Sequence, residues 1–529
     1  MSSIFRSSGR SADTNILMLL VVFLTAIGFT SCDSTPSYQN AIPAEPVAVI
    51  KANVKSMLDK SELLKDNQVL GKLKTEINTA PEGAREVLRA MLDNPESCGL
   101  NLEQPAFVVL ENLEQARGFL LLGVKDYEQL SAFFTSVNDG SMMISEKEGY
   151  KMITVENENL MAFDEDKLVL AFAEAASDVT EYMREKEDAA EKADELKAFL
   201  AGKDDFGVYI DYKDIVRLTN GMAGNAAEMI DKNLLEGAKL IGVMNFEAGK
   251  IVADVKISGS EKLEDLCSKY MSSAESDLQK YVPSNSLAFM QAGVKSIGTT
   301  IKENIPEAVK TEYDAIVDNI NNELASAGVS EKFSWELLNS LEGGMAAGII
   351  KPSGTPIPQV AVYAECKDKK LFTMLLNALK ANNMYFKVEA DDVYSISFSG
   401  AKQFFFGYAD DKMFFLSSDI YTQVYKDKSL KSLPQNMSDN SMSSVLKSQN
   451  GMFIDCKIFV ELINEMGLAR RRDEKMALGL ISKLTTVGYV QKGATEVELV
   501  MNLVDDKTNA LKQMKDAAVN MAIYENSSN

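Results

Sequence analysis

The sequence repeats part of itself about 240 residues further along, and this repeat constrains the fold more than any other feature. Residues 42–57 (IPAEPVAVIKANVKSM) and 282–297 (VPSNSLAFMQAGVKSI) align without a gap. In each segment a proline precedes an apolar run typical of a buried strand, and Val-Lys-Ser follows where a helix would begin. The repeat therefore predicts two copies of one structural unit.

Further landmarks recur in the same order in the two halves. Residues 159–173 and 403–418 each predict two strands joined by an acidic turn, and both halves end in strands that alternate apolar and polar residues. Helices separate these antiparallel hairpins. We therefore predict an α+β fold of two tandem copies of a similar α+β unit, with antiparallel strand meanders and flanking helices.

The repeat also sets the expected domain boundaries. Residues 42–281 would form the first α+β repeat and residues 282–529 the second, with the boundary just before Val282. Within them, residues 178–200 predict one charged helix, and the apolar spacing of residues 304–326 predicts a long amphipathic helix.

The N-terminal segment, residues 1–31, has the parts of a lipoprotein signal peptide. Arg6 and Arg10 precede an apolar stretch at residues 16–29, and two small residues then precede Cys32. A stretch of this length matches a signal peptide and is short for a membrane span. We therefore predict that Cys32 is the lipid-attachment residue, with an ordinary secretory signal or an uncleaved anchor helix as alternatives.

A polar segment, residues 32–41, separates this cysteine from the first repeat and is expected to be a flexible tether. A multiply acylated cysteine would hold the protein firmly at a membrane. We expect a lipid-anchored location in the bacterial cell envelope, at the outer membrane, with its periplasmic and surface faces both open as possibilities.

Composition excludes several classes of function. The chain has no histidine, which removes Ser–His–Asp and Cys–His catalysis and histidine-ligated zinc. Its net charge of −22 argues against nucleic acid as a partner, because phosphate binding needs clustered basic residues. We predict no cofactor and no metal site, and any catalysis would depend on carboxylates, Lys, Tyr, Ser or Cys.

Four further cysteines, Cys98, Cys267, Cys366 and Cys456, lie far apart and form no C-x-x-C pair. Their disulfide pairing stays open, since four thiols allow about three pairings. Cys366 and Cys456 each lie at the end of a predicted strand, which favours buried free thiols.

Several short strings imitate active sites. Residues 399–402 and 444–447 both match S-x-x-K, but no K-T-G completes the set. The acidic turns at residues 164–166 and 410–411 lack the ligand pattern of a calcium loop. The run Phe404–Phe406 favours core packing over an exposed binding surface.

The lipobox-like FTSC (29–32), the segment IPAEPVAVIKANVKSMLDKS (42–61) and the stretch CGLNLEQPAFVVL (98–110) carry a family resemblance. Together they resemble an uncharacterised family of envelope lipoproteins from Bacteroides-type anaerobes, a domain of unknown function (4836-like). The resemblance implies an envelope location and a duplicated α+β fold over the mature chain. It implies no catalytic residues.

Three functions follow as hypotheses. The first is a non-catalytic lipoprotein that binds or scaffolds an envelope protein, glycan or lipid. The second is an envelope hydrolase that uses paired carboxylates or a Ser–Lys dyad. The third is a carrier of a lipid or another apolar ligand, which predicts an apolar cavity.

Overall fold

The computed structural model describes residues 37–526 of the chain, apart from several segments. The segments left out within that range are residues 79–84, 86–88, 91, 94–97, 113–116, 139, 141, 148, 156–157, 173–178, 184–191, 213–235, 271–275, 305–309, 352–357, 382–385, 399–401 and 434–439. The predicted signal peptide and Cys32 therefore lie outside the described residues.

Twenty β-strands lie within the described residues. The first ten are β1 (Ala48–Ala52), β2 (Ala106–Asn112), β3 (Arg117–Gly123), β4 (Met142–Lys147), β5 (Tyr150–Val155), β6 (Glu158–Phe163), β7 (Lys167–Phe172), β8 (Phe206–Asp211), β9 (Lys239–Glu247) and β10 (Lys250–Ser258). The second ten are β11 (Ser286–Val294), β12 (Leu341–Ile350), β13 (Gln359–Cys366), β14 (Phe386–Ala390), β15 (Val393–Phe398), β16 (Lys402–Ala409), β17 (Lys412–Ser417), β18 (Gly451–Asp455), β19 (Leu484–Gln491) and β20 (Glu496–Leu503).

The α-helices of the described residues fall between and after these strands. They are α1 (Val54–Ser61), α2 (Asn67–Ile77), α3 (Tyr127–Ser136), α4 (Thr180–Met183), α5 (Asp194–Ala201), α6 (Glu261–Tyr270), α7 (Ile297–Asn304), α8 (Lys310–Ser326), α9 (Lys370–Ala381), α10 (Ser418–Tyr421), α11 (Asn440–Lys447), α12 (Cys456–Glu465), α13 (Arg472–Ile481) and α14 (Ala510–Asn526).

The hydrogen-bonded strand order is the same in both series. The first ten strands pair in the order β4–β5–β6–β7–β3–β2–β1–β8–β9–β10. The second ten pair as β14–β15–β16–β17–β13–β12–β11–β18–β19–β20. Strand β10 also pairs with β20, so the described strands form one antiparallel sheet of 20 strands.

The predicted architecture of two tandem α+β units is therefore wrong, although the mixture of helices and strands broadly fits an α+β label. The physical reason is that strand β10 continues the hydrogen bonding into the second series, as an unpaired strand edge allows. The chain also divides into compact units that are not contiguous. Unit 1 holds the described residues of 1–215, 238–253 and 506–529, and unit 2 holds those of 216–237 and 254–505.

Unit 1 buries apolar side chains on both faces of its strands. On one face, α1 and α3 cover a core that includes Leu58, Phe134 and Phe163. On the other face, α5 and a 3₁₀ helix at Ser37–Ala41 cover a second core. Tyr38, in the segment that the sequence assigns to the tether, is 1% exposed and donates a 2.6 Å hydrogen bond to the carbonyl of Pro105.

Unit 2 also buries apolar side chains in cores on both faces of its strands. The first contains Phe289, Tyr363 and Phe453. Their side chains point to the opposite face of the sheet from those of the residues next to them on the same strands. The second lies under α9, where Phe372 stacks on Phe406 with ring centroids 4.9 Å apart. The predicted core position of the Phe404–Phe406 run is confirmed for Phe405 and Phe406, which are both buried.

Local predictions are mostly confirmed where the structure describes the chain. Both predicted hairpins form, as β6–β7 and β16–β17, and residues 250–258 and 495–503 form β10 and β20. The single helix predicted at residues 178–200 is wrong, because Lys192 and Ala193 are not helical and α5 begins only at Asp194. In the second repeat the helix after β11 begins later than predicted, since Ser296 has a φ of 51°.

Candidate functional site

A small cleft in unit 1 bears on the carrier hypothesis. Its cavity volume is only about 10 Å³, and it is lined mainly by apolar side chains such as Val54, Leu100 and Leu122. Ligand pockets usually enclose about 300–1,000 Å³. This cleft is too small to enclose a lipid.

The strands of unit 2 present a more extensive apolar surface. Residues that lie directly opposite each other in paired antiparallel strands share one face of the sheet. One row of such residues runs across six strands, β13–β12–β11–β18–β19–β20, and a second row lies beside it. The first row is Val362, Ala347, Met290, Met452, Tyr489 and Leu499, and the second is Val360, Ile349, Ala288, Ile454, Val487 and Met501. We call these twelve residues the apolar face.

Half of the apolar face is strongly exposed to solvent. Six of its side chains are 36–52% exposed, with Met290 the highest, and they are Met290, Ile349, Val362, Met452, Leu499 and Met501. In an antiparallel sheet with one face in solvent, the side chains on that face are normally polar. None of these twelve residues is charged. A contiguous exposed patch of this kind marks an interaction surface more often than ordinary surface.

The opposite side of the same strands is core, which makes these strands apolar on both faces. Phe289 and Phe453 are each 1% exposed, whereas their neighbours Met290 and Met452 are 52% and 38% exposed. The sequence predicts a buried strand at residues 282–297 from its continuous apolar run. That signal indicates that both faces of the strand need cover, and among the described residues one face keeps strongly exposed side chains.

The corresponding positions of unit 1 are better shielded. Ile50 corresponds to Met290 and Val208 to Met452, and these two residues of unit 1 are half-buried where their counterparts are exposed. Exposure of this face is thus a property of unit 2.

A buried lysine in unit 1 is the strongest charged feature of the described residues. Lys51 on β1 is fully buried, and its Nζ donates to the carbonyls of Phe199 at 2.8 Å and Gly202 at 2.9 Å. It also contacts the carboxylate of Asp204 at 3.3 Å. Burial lowers the pKa of Lys51, although Asp204 opposes that effect.

The second repeat shows that this lysine has a structural role. Gln291 occupies the corresponding position on β11, and its Nε2 donates to the carbonyls of Val445 at 2.9 Å and Ser448. Lys51 and Gln291 therefore both satisfy carbonyls at the C-terminal ends of helices α5 and α11. Because the neutral amide of Gln291 makes the same kind of contact, the charge of Lys51 is not evidence for catalysis.

One Ser–Lys contact bears on the hydrolase hypothesis. Lys151 on β5 donates a 2.5 Å hydrogen bond to Ser131 Oγ, and its ammonium lies 5.1 Å from the ring of Tyr127. Ser131 lies inside α3, where backbone N–H groups are used within the helix and cannot form an oxyanion hole. Of the two S-x-x-K strings, the first begins at residues outside the described part, and Ser444 and Lys447 lie on α11.

The four cysteines inside the described residues are free thiols. Cys98, Cys366 and Cys456 are buried and Cys267 is half-buried, and burial raises the pKa of each thiol. The prediction of buried free thiols at Cys366 and Cys456 is confirmed.

The acidic turns are held by their own hairpins. Asp164 Oδ1 accepts hydrogen bonds from the backbone N–H of Asp166 and Lys167, and Asp411 accepts one from the hydroxyl of Tyr408. Among the described residues no group of three or more acidic or thiol side chains is arranged to hold a metal ion. In the same part of the chain no helix is long and apolar enough to cross a membrane.

Comparisons with known proteins identify a family. A solved structure titled "Structure of crystal form III of TP0453" aligns with a TM-score of 0.25 and 9% sequence identity, over 44% of this chain and 81% of that one. No match was found among curated proteins. One family model, described as "Domain of unknown function (DUF4836)", matches residues 38–511, which include both series of strands. The chain therefore belongs to this family of domains of unknown function.

Proposed function

We propose that this protein is a lipid-anchored, non-catalytic component of a bacterial cell envelope, of the Bacteroides type, that binds another envelope molecule. The apolar face of unit 2 is the observation that carries the proposal. Its strongly exposed apolar side chains lie close together on one sheet face, whereas ordinary exposed apolar residues are scattered singly over a surface. A binding partner would remove this surface from water and so gain the hydrophobic contribution to affinity.

The anchor in this proposal is Cys32. The signal-like segment before it and the small residues beside it support lipid attachment at this thiol. Because Tyr38 is buried in unit 1, only a few residues would separate the lipid from that unit. The protein would then act close to a membrane surface, and we propose that this membrane is the outer membrane.

The repeated strand order supports a duplicated origin. Ten strands of the second series pair in the same order as ten strands of the first. The positions of Lys51 and Gln291 also make equivalent contacts in the two series. After duplication, one copy could keep its sheet face shielded while the other acquired a binding surface.

Metabolic labelling tests the anchor. Cells that express the protein are grown with radiolabelled palmitate, and the protein is isolated from the membrane fraction. Wild type should carry label and sediment with membranes, whereas Cys32→Ser should lose the label and become soluble after processing or accumulate as precursor. Label that persists in Cys32→Ser would contradict lipid attachment at Cys32.

Photo-crosslinking in the native cells tests binding through the apolar face. A photoreactive phenylalanine analogue replaces Met452, and a matched variant carries it at Met143 on β4, which is 62% exposed in unit 1. A discrete crosslinked species is expected from position 452 and not from position 143. If neither position, or both equally, gave crosslinks, the proposed role of the apolar face would be lost.

A further inference from the structure

We propose that the side chains of Lys51 and Asn245 become joined by an amide bond, which links strand β1 to strand β9 inside unit 1. The inference goes beyond the proposed function and does not depend on it. Its main support is one carboxylate, that of Asp204, which contacts both side-chain nitrogen atoms. The burial of the amine and a hydrogen bond to the Asn245 carbonyl give further support.

The strand register brings the two side chains to one face of the sheet. Lys51 lies opposite Gly207 on β8, and Gly207 lies opposite Val243 on β9. Asn245 is two residues beyond Val243, so its side chain lies on the same face as that of Lys51. A Cβ at Gly207 would lie 3.3 Å from the Cε of Lys51. The lysine side chain therefore passes close over β8, the strand between β1 and β9.

The carboxylate of Asp204 holds the two groups that would react. Its Oδ2 lies 3.3 Å from Lys51 Nζ, and its Oδ1 accepts a 3.3 Å hydrogen bond from Asn245 Nδ2. A carboxylate in this position can take a proton from the amine and give one to the amide nitrogen as that nitrogen leaves. Because both groups contact the same carboxylate, their proximity replaces the encounter of two molecules.

Two further features favour attack on the Asn245 side chain. Lys51 is fully buried, and burial lowers the pKa of its ammonium group, which favours the neutral amine that acts as a nucleophile. The backbone N–H of Asp205 donates a 3.3 Å hydrogen bond to Asn245 Oδ1. Negative charge develops on this oxygen when the amine adds to the carbonyl carbon, and the N–H group stabilises that charge.

The reaction balances without any other reactant. The bond between Lys51 Nζ and Asn245 Cγ forms, and the bond between Asn245 Cγ and Nδ2 breaks. Of the three protons on the Lys51 ammonium group, one stays on the new amide nitrogen and two leave with the Asn245 nitrogen as ammonium. Asp204 passes protons between the two nitrogen atoms and ends as the carboxylate that it was at the start.

The new bond is compatible with the existing contacts of Lys51. An amide N–H at this position can still donate to one of the two carbonyls that accept from Nζ, those of Phe199 and Gly202. The amide of Gln291 makes this kind of contact in the second series. Lys51→Gln and Lys51→Met would lose the new bond alike, so a difference in stability between them still reports hydrogen bonding to these carbonyls.

Unit 2 provides an internal comparison, because the three corresponding positions lack these groups. The register of β11, β18 and β19 places Gln291, Ser448 and Lys492 there. None of the three is an asparagine or a carboxylate. The bond is therefore expected in unit 1 and not at the corresponding place in unit 2.

Mass spectrometry of the purified full-length protein tests the bond directly. A protease that cleaves after glutamate releases residues 46–62, which contain Lys51, and residues 237–247, which contain Asn245. We expect wild type to yield these two segments as one branched peptide, lighter than their sum by one molecule of ammonia. Fragmentation should place the branch at Lys51 and Asn245, and not at Lys239 in the second segment.

Three variants separate the chemistry from the fold. Lys51→Gln should abolish the branched peptide, because the amine is gone. Asp204→Asn should reduce it by about tenfold or more, because the carboxylate that transfers the proton is gone. Asp211→Asn is the matched control: it removes a carboxylate from a different buried ion pair, that with Lys239, and should keep the branched peptide. Circular dichroism shows whether each variant is folded.

Two results would overturn the inference. The first is recovery of both segments from wild type as separate, unmodified peptides, a result that does not depend on any variant. The second is a folded Asp204→Asn variant that keeps the branched peptide in full, since Asp204 would then have no part in the reaction.

Discussion

Two pairs of residues make the same contacts in the two series of strands, with a cation in one series and an amide in the other. Lys51 and Gln291 both bind the carbonyl end of a helix. At the first position of β3, Arg117 bonds Glu181, and at the first position of β13, Gln359 bonds Asp419. At these positions the hydrogen bonds recur although the charge does not, so the fold requires a donor rather than a cation.

This recurrence makes Lys51 testable by substitution. Lys51→Met would leave the carbonyls of Phe199 and Gly202 without their buried donor, and we expect a loss of about 2–4 kcal/mol in the free energy of unfolding. Lys51→Gln would retain a donor, and we expect a loss of about 1 kcal/mol. Hydrogen exchange of β1 and α5 peptides across a urea series measures both values. Equal losses would show that the charge, and not the donor, stabilises this contact.

The turn between β16 and β17 depends on backbone conformation at single residues. Asp410 and Asp411 have φ values of 51° and 56°, as a two-residue hairpin turn requires. Asp410→Val should lower the free energy of unfolding by about 1–2 kcal/mol, because β-branched residues avoid positive φ. Asp410→Gly should be neutral or stabilising by up to about 1 kcal/mol. Thermal melts followed by circular dichroism provide the measurement.

A matched control for that turn exists in unit 1. The turn between β6 and β7 contains Glu165, which does not have a positive φ. Glu165→Val should therefore change the melting temperature much less than Asp410→Val. Similar destabilisation in both hairpins would point to lost polarity of the turn and away from backbone strain.

At the scale of elements, helix α14 is held against α1 and the short 3₁₀ turn after it by ion pairs. Lys512 contacts the carboxylate of Glu62, and Lys515 contacts Asp66 at 2.9 Å. Hydrogen bonds from these lysines are the main cause of the lowered pKa of Glu62 and of Asp66. A carboxyl group with a lowered pKa stabilises the folded state above its ordinary pKa, and this contribution is lost as the pH falls through the folded-state pKa.

We therefore expect the packing of α14 to weaken as the pH falls below about 4.5, which is the ordinary pKa of Glu62. Hydrogen-exchange protection of α14, corrected for intrinsic rates, should decrease between pH 6 and pH 3. The double variant Lys512→Met, Lys515→Met should show lower protection at pH 6 and a flatter pH dependence. A pH dependence that is unchanged in this variant would contradict a role for these ion pairs.

The strands were easier to predict from the sequence than the strands against which each helix packs. Residues 250–258 alternate apolar and polar side chains, and this pattern is sufficient to identify β10. The helix patterns contain no information about which strands a helix packs against, because any apolar stripe can cover any apolar sheet face. For the apolar face, the sequence predicted only a strand with two apolar sides. Lys51 is a charged residue in the corresponding strand of unit 1, and nothing in the sequence indicated which carbonyls it contacts.

At the scale of the whole molecule, each compact unit contains a helix that follows the other series of strands. Unit 1 includes α14, which comes after β20, and unit 2 includes α6, which comes after β10. Equivalent contacts hold them: Lys512 meets Glu62 in unit 1, and Lys269 meets Glu303 at 3.1 Å in unit 2. Unit 1 is therefore completed by chain from a distant part of the sequence, which tandem units would not need.

Gly249 packs closely against the segment that leads into helix α14 in unit 1. Gly249, in the turn between β9 and β10, has a φ of 67°, and its N–H donates to the carbonyl of Thr508 at 3.0 Å. A Cβ at this position would lie 2.4 Å from the Cα of Asp506. Gly249→Ala would therefore force the segment that leads into α14 away from the turn, in addition to straining the backbone.

We expect Gly249→Ala to reduce hydrogen-exchange protection in β9, α1 and α14, while β11 and β18 of unit 2 keep theirs. Gly467→Ala is the matched control: Gly467 has a φ of 61°, but a Cβ there meets nothing within 4 Å. That variant shares the backbone strain and lacks the clash, so it should leave β9, α1 and α14 protected. Deletion of residues 506–529 should reproduce the Gly249→Ala pattern more strongly. If the deletion instead left unit 1 protected, or destabilised both units equally, the last helix would not be a component of the first unit.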